Sequence, residues 1–281
     1  MRQLPLPTLD DVEVLDRIIA AKSPPRRGQL QAIRTAVLGA YANYAAVAPE
    51  VAGLTAIALT DIQRAALVHA YEVETVPLAQ LRGALLGGAV TARCPFCAVS
   101  ESSTLDHYLP KEAHPQFSIL SKNLIPSCPT CNVHKRTLVV DGGTDVRLFL
   151  HPYFDVLPNA RFVHLDVEVR PDVLSLSYRV VRPTGIAQAT YRHVESHFRL
   201  LNLADRYRIM SLDEIRGQHH TLLRLYGEAE DAGRVGLGLT EEAETFEAAY
   251  GPNHWRAVLY AALADSDDFC DGGFKIILNI P

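Results

Sequence analysis

With 281 residues and 30.9 kDa, the chain is long enough for one large or two modest domains at about 150 residues each, so it needs no covalent staples to bury a core. Apolar residues at 48% and charged residues at 21% exclude collagen-like, coiled-coil and wholly disordered chains. A net charge of −5, from 27 Lys+Arg and 32 Asp+Glu, excludes a uniformly basic chain, so any nucleic-acid surface has to be local.

The opening Met1-Arg2-Gln3-Leu4-Pro5-Leu6-Pro7 lacks the charged lead and apolar stretch of a signal peptide, which predicts a cytoplasmic protein. The longest uncharged run, Thr35 to Pro49, is shorter than the ~18 to 20 apolar residues that span a bilayer, so no membrane segment is expected. Residues 1–90 read as helical. Leu15, Ile18 and Ile19 follow the capping candidate Thr8, and a Pro24-Pro25 break precedes a helix from Gln29 to Val47. Two more helices are expected over Asp61–Tyr71 and Pro77–Leu86.

Gly87-Gly88 marks a change to the Cys, His, Pro and Asn of residues 91–137. Within 151–281, Val163-Leu165-Val167-Val169 and Leu174-Leu176-Tyr178-Val180 alternate with polar residues and predict a hairpin turning at Pro171-Asp172. Helices follow over Ile186–Leu200, Asp205–Tyr226, Thr240–Tyr250 and Asn253–Ala264. Residues 179–224 hold eight Arg against four Asp/Glu, whereas residues 238–272 hold one Arg against eight Asp/Glu. Ordinary solvated helix faces account for both stretches; a phosphate-gripping surface and a partner contact are the functional readings.

Of five cysteines, four fall in the pairs Cys94/Cys97 and Cys128/Cys131, with thirty residues between. Two such knuckles supply the thiolates of a closed, tetrahedral structural zinc site, because each turn aims both sulfurs at one point. Structural zinc contributes on the order of 10 kcal/mol or more in small peptides, enough to order a segment with little apolar core. Between the knuckles lie Leu105-Asp106-His107-Tyr108-Leu109, which reads as a strand, and Asn123. Asn132 opens a short helix running through Lys135. Cys94-Pro95-Phe96-Cys97 alone looks like a glutaredoxin redox pair, but that motif opens a helix in an N-terminal βαβ unit. A zinc deaminase needs His-x-Glu upstream of Pro-Cys-x-x-Cys, and the chain has none. The strongest bland alternative is a zinc ribbon that binds nucleic acid or protein without catalysis.

Asp-His, then Asn, then Cys-Asn-x-x-Lys, bracketed by two Cys-x-x-Cys pairs, resembles the HNH endonucleases over about 45 residues. Asp106-His107-Tyr108-Leu109-Pro110-Lys111 and Asn123-Leu124-Ile125-Pro126-Ser127-Cys128 are most similar to prokaryotic HNH proteins of Septu-type anti-phage systems. The resemblance implies an α+β fold: a helical region at 1–90, a central ββα-metal module at 91–150 braced by the four-cysteine zinc site, and a mixed strand and helix region at 151–281. It implies metal-dependent hydrolysis of nucleic-acid phosphodiesters, with DNA favoured and RNA as the alternative. His107 would be the general base, Asp106 and Asn132 the ligands of a catalytic ion, and Asn123 the residue tying the loop. Asn132 stands where the family's eponymous His is expected. Such an oxygen set favours Mg²⁺ or Mn²⁺, with His134 as an additional candidate ligand. Lys135 and Lys111 would contact phosphate, with a structural cap as the other role for Lys135. An ATPase partner is implied by the resemblance alone, and a homo-oligomer would supply the two copies that a double-strand break requires. His114, His219, His220 and His254 read as loop, packing or surface residues, and Cys270 as a half-buried structural thiol.

Overall fold

Four helices open the chain, each starting where the sequence offers an acceptor or a proline. In the computed structural model, which describes residues 1–87, 93–142 and 146–279, α1 (Asp11–Ala20) is capped by Asp10, whose carboxylate accepts from the backbone N–H of Val12 (2.9 Å) and Glu13 (3.1 Å). The cap is thus Asp10 rather than Thr8: the carboxylate lies next to the first turn, where a negative charge also meets the helix dipole. Helix α2 (Arg26–Val47) follows Pro25 directly and is three residues longer at its start than the sequence suggested. A capping box of Thr60 and Gln63 opens α3 (Asp61–Glu72), and α4 (Val76–Gly87) buries Leu78, Leu81 and Leu85.

Strands β1 (Thr104–His107) and β2 (Leu124–Ser127) pair antiparallel, from Thr104 opposite Ser127 to His107 opposite Leu124. Helix α5 (Pro129–Lys135) then packs on β1. The chain forms two compact units, Arg2–Val156 and Leu157–Pro281, and α1 to α4 share the first with β1, β2 and α5. The fold is mixed helix and strand, with two small antiparallel sheets among the described residues.

The strand stops at His107 because Leu109 N–H leaves the ladder for the Asn123 side chain (2.8 Å). Asn123 is buried and fully used: its amide nitrogen donates to Leu109 O (3.0 Å) and Phe117 O (3.2 Å), and its oxygen also accepts from Tyr44 on α2 (3.2 Å). Tyr44 Oη lies 2.9 Å from His151 Nε2. The Tyr153 backbone N–H donates to His151 Nδ1 (3.3 Å), so Nε2 carries the ring proton and donates to the Tyr44 oxygen, freeing the hydroxyl hydrogen for Asn123. Burial, reinforced by the Arg147 charge, pushes the His151 pKa well below its ordinary value. Arg147 is itself buried, its guanidinium on Asp155 Oδ1 (3.0 Å) and Glu50 Oε1 (3.1 Å).

In the second unit, β3 (Val163–Arg170) and β4 (Val173–Val180) form the expected hairpin, with Val163 opposite Val180. Asn253 starts it by accepting the N–H groups of Phe162 (2.7 Å) and Val163 (3.0 Å). Helices α6 (Gln188–Leu200), α7 (Leu203–Gly217), α8 (His219–Tyr226), α9 (Ala232–Tyr250), α10 (Trp255–Ala264) and α11 (Asp267–Cys270) complete the unit, with α10 against β3 and α7 against β4. The single helix expected over Asp205–Tyr226 is broken at Gln218, behind Gly217. Helix α9 starts eight residues before Thr240, capped by Asp231. Its glycines serve packing rather than a loop: a Cβ on Gly238 would stand 2.7 Å from Leu225 Cδ1. Arg179, Arg208 and Arg216 of the basic stretch pair at the surface with Asp166, Asp205 and Asp213. Cys270 is buried, and burial pushes its thiol pKa up to about 11. Among the described residues, no helix is long and apolar enough to cross a membrane.

Replacing Tyr44 with Phe strands the His151 N–H and one Asn123 lone pair, so urea unfolding should show a loss of about 1–3 kcal/mol. Below an ordinary histidine pKa near 6.5, the unfolded chain binds a proton that buried His151 cannot. Stability therefore rises with pH through that window and falls on acidification, and the urea midpoint between pH 7.5 and 5.5 should drop less in His151→Gln than in wild type.

Candidate functional site

The four sulfurs of Cys94, Cys97, Cys128 and Cys131 lie within 4.8 Å of one another and all four residues are buried. Four thiolates about 2.3 Å from a tetrahedral ion stand about 3.8 Å apart, and Cys97 Sγ is 3.9 Å from Cys128 Sγ. Backbone N–H groups point at the sulfurs, Val99 at Cys97 Sγ (3.4 Å) and Cys131 at Cys128 Sγ (3.3 Å), as thiolate ligands require. Cys128 is also the N-cap of α5. The cluster fits a structural zinc ion, and among the described residues no other group of three or more His, Cys, Asp or Glu side chains converges in this way.

Helix α5, which begins at this cysteine cluster, runs along β1. Successive strand residues face opposite sides, and Thr104 and Asp106 share the side toward α5. Asn132 Nδ2 meets Thr104 Oγ1 (3.4 Å), and one helical turn further on Lys135 Nζ stands 3.0 Å from Asp106 Oδ2. Both members of this ion pair are buried, at 1% and 2% exposure. The same ammonium also donates to His107 O (2.8 Å). Burial raises the Asp106 pKa to about 6, against the pull of Lys135. Lys135 therefore points inward, also flanked by the rings of Tyr108 (5.7 Å) and Phe149 (6.0 Å).

His107 faces the other way. Its Nε2 lies 3.0 Å from Ser118 O in the long loop, so Nε2 bears the proton and the lone pair is on Nδ1. The ring packs edge to face on Tyr71 of α3 at 4.3 Å. Burial lowers its pKa to about 4, keeping the imidazole neutral at pH 7. Asp106 and His107, adjacent in sequence, thus have separate partners: one belongs to the β1–α5 layer, the other to the loop and α3.

The remaining predicted residues are placed as follows. Asn123 fastens the loop through the four hydrogen bonds described above. Half-buried His134 lies on α5 two residues beyond Asn132. Lys111 is tied to Glu112 (2.7 Å) and Glu72 (3.3 Å). His114 packs on Phe117, and burial lowers its pKa. His254 caps α10, its Nδ1 accepting from Arg256 N (3.4 Å). Sequence reasoning missed Tyr44, Tyr71, Ser118 and His151. No local pattern marks them, since each meets the site across a long stretch of chain.

Part of this chain is 30% identical over 192 residues to protein ea31 of Escherichia phage lambda, a name that describes no activity. The similarity covers 64% of this chain and 64% of that relative's length. No family model matches the chain, and no solved structure matches it.

Stripping the ion from the four-thiolate site, or replacing Cys97 with Ser, removes a contribution on the order of 10 kcal/mol. Purified protein should carry stoichiometric zinc, and the chelated form should melt at a much lower temperature with loss of the β1–β2–α5 segment's amide protection.

Proposed function

We propose that this chain is a metal-dependent endonuclease of the HNH type that hydrolyses nucleic-acid phosphodiesters, with DNA favoured over RNA. The observation that carries the reading is the setting of His107. It stands at the end of β1 as a neutral imidazole, with Nε2–H held by Ser118 O and Nδ1 left as the basic atom, beside a strand, strand and helix braced by four cysteines. In this role Nδ1 takes a proton from water as its oxygen attacks phosphorus and the bond to the 3′ oxygen breaks, leaving 5′-phosphate and 3′-hydroxyl ends.

Asp106 and Asn132 are the residues that would hold Mg²⁺ or Mn²⁺. Asp106, whose Oδ2 lies 3.0 Å from Lys135 Nζ, would supply the carboxylate, and Asn132, which meets Thr104 across the same layer, offers an amide oxygen. When bound, such an ion supplies Lewis-acid stabilisation of the leaving oxygen. Lys135 holds Asp106 ionised against its burial and fixes the His107 carbonyl. A role in anti-phage defence beside an ATPase follows from the sequence resemblance alone, whereas a homo-oligomer would supply the two copies that a double-strand break requires.

A second reading, a zinc-braced binding module without catalysis, is favoured by one observation: Lys135 already neutralises Asp106. The two separate cleanly. In buffer freed of loosely bound divalent ions, plasmid nicking should vanish and return with Mg²⁺ or Mn²⁺, and His107→Ala should lower the rate on the order of 10²-fold or more while its melting curve stays that of the folded protein. Binding that persists without cleavage supports the binding module, and equal degradation by wild type and His107→Ala overturns the nuclease.

A further inference from the structure

We infer that Tyr71, on α3 and outside the strand–strand–helix segment, is a positioning residue that fixes the plane of the His107 ring, an inference that rests on the endonuclease reading above. An imidazole hangs on two single bonds and can swing about Cα–Cβ and turn about Cβ–Cγ. The hydrogen bond from Nε2 to Ser118 O anchors one ring atom at 3.0 Å and leaves rotation about that contact open. The second constraint comes from Tyr71, whose ring centroid lies 4.3 Å from that of His107 at an interplanar angle of 73°, the edge-to-face geometry that aromatic pairs prefer.

Tyr71 is itself held. The Arg82 guanidinium, from α4, stands 4.7 Å from the Tyr71 ring centroid, and its Nη2 donates to Tyr71 O (2.7 Å). Glu74 pairs with the same guanidinium. The phenol also lies within the electrostatic reach of Asp106 and Lys111, the charged residues flanking His107 in sequence. The stack Arg82, Tyr71, His107 therefore runs from the N-terminal helices to the end of β1. It gives those helices a part in the site that their sequence, lacking any reactive cluster, did not reveal. A base whose plane wanders is aimed at water for a smaller fraction of the time, and small misplacements are costly to rate. Because Tyr71 is assigned no grip on the substrate, the loss should fall on kcat and spare KM.

The test uses full-length, zinc-loaded Tyr71→Leu and Tyr71→Phe, each first checked by thermal melting, with Arg82→Gln as a variant that keeps the ring and removes its brace. Tyr71→Leu should lower kcat for plasmid nicking about tenfold at unchanged KM, Phe should restore most of that loss, and Arg82→Gln should fall between. NMR relaxation of the His107 ring carbons, with His107→Gln to assign them, should show a fixed ring in wild type and Phe, and added ring motion in Leu. A Leu variant, or a folded Arg82→Gln if Leu fails to fold, with wild-type kcat and wild-type ring relaxation overturns the inference. A wild type that cuts none of the substrates overturns the endonuclease reading instead, and the NMR arm still decides whether Tyr71 holds the ring.

Discussion

Four sulfurs set the frame for everything around β1. The segment that carries them has strands of four residues and a helix of seven, too short to be stable alone. Cys94, Cys97, Cys128 and Cys131 converge so that a tetrahedral ion held by them would tie the turn before β1 to the first turn of α5. With that turn fixed, the axis of α5 is fixed, and with it the positions of Asn132 and Lys135 against Thr104 and Asp106. The brace takes no part in proposed chemistry; it determines which side chains can meet.

Within that frame the two-residue period of a strand divides labour. Asp106 goes inward to a buried ammonium, and His107 goes outward to a carbonyl and an aromatic ring. An ion pair buried on both sides is costly to desolvate and contributes little net stability on its own. Here the same ammonium also hydrogen-bonds the carbonyl of His107, so one side chain ties the backbone of the strand end to the charge beside it. The arrangement is better understood as a fixture for the strand end than as a source of stability.

How far the chain could be read in advance depended on the range of the interaction. Helix α3, opened by Thr60 and Gln63, and the hairpin β3–β4 are set by neighbours a few residues apart, and the local sequence pattern revealed both elements. The two cysteine pairs are local turns whose geometry is implied by spacing. At α9 the periodicity showed only the part from Thr240 onward; Gly238, in the earlier turns, clears space for Leu225, a partner on another helix that no local rule includes. The polar core was hidden for the same reason: Tyr44 meets Asn123 across 79 positions and His151 across 107. A Tyr in an alanine-rich helix and a His behind Leu148-Phe149-Leu150 carry no mark of such a meeting. Tyr71 is a comparable case, invisible until α3 is placed against the end of β1.

The latch formed by Tyr44, His151 and Asn123 bears on how portable this motif is. A peptide cut to the span of the two cysteine pairs keeps every sulfur and both strands, yet forfeits the α2 hydroxyl and the downstream imidazole that close the intervening loop. Transplanted into another scaffold it would carry its ion but not the pose of its histidine, so the natural building block is the whole first unit rather than the cysteine-bearing stretch.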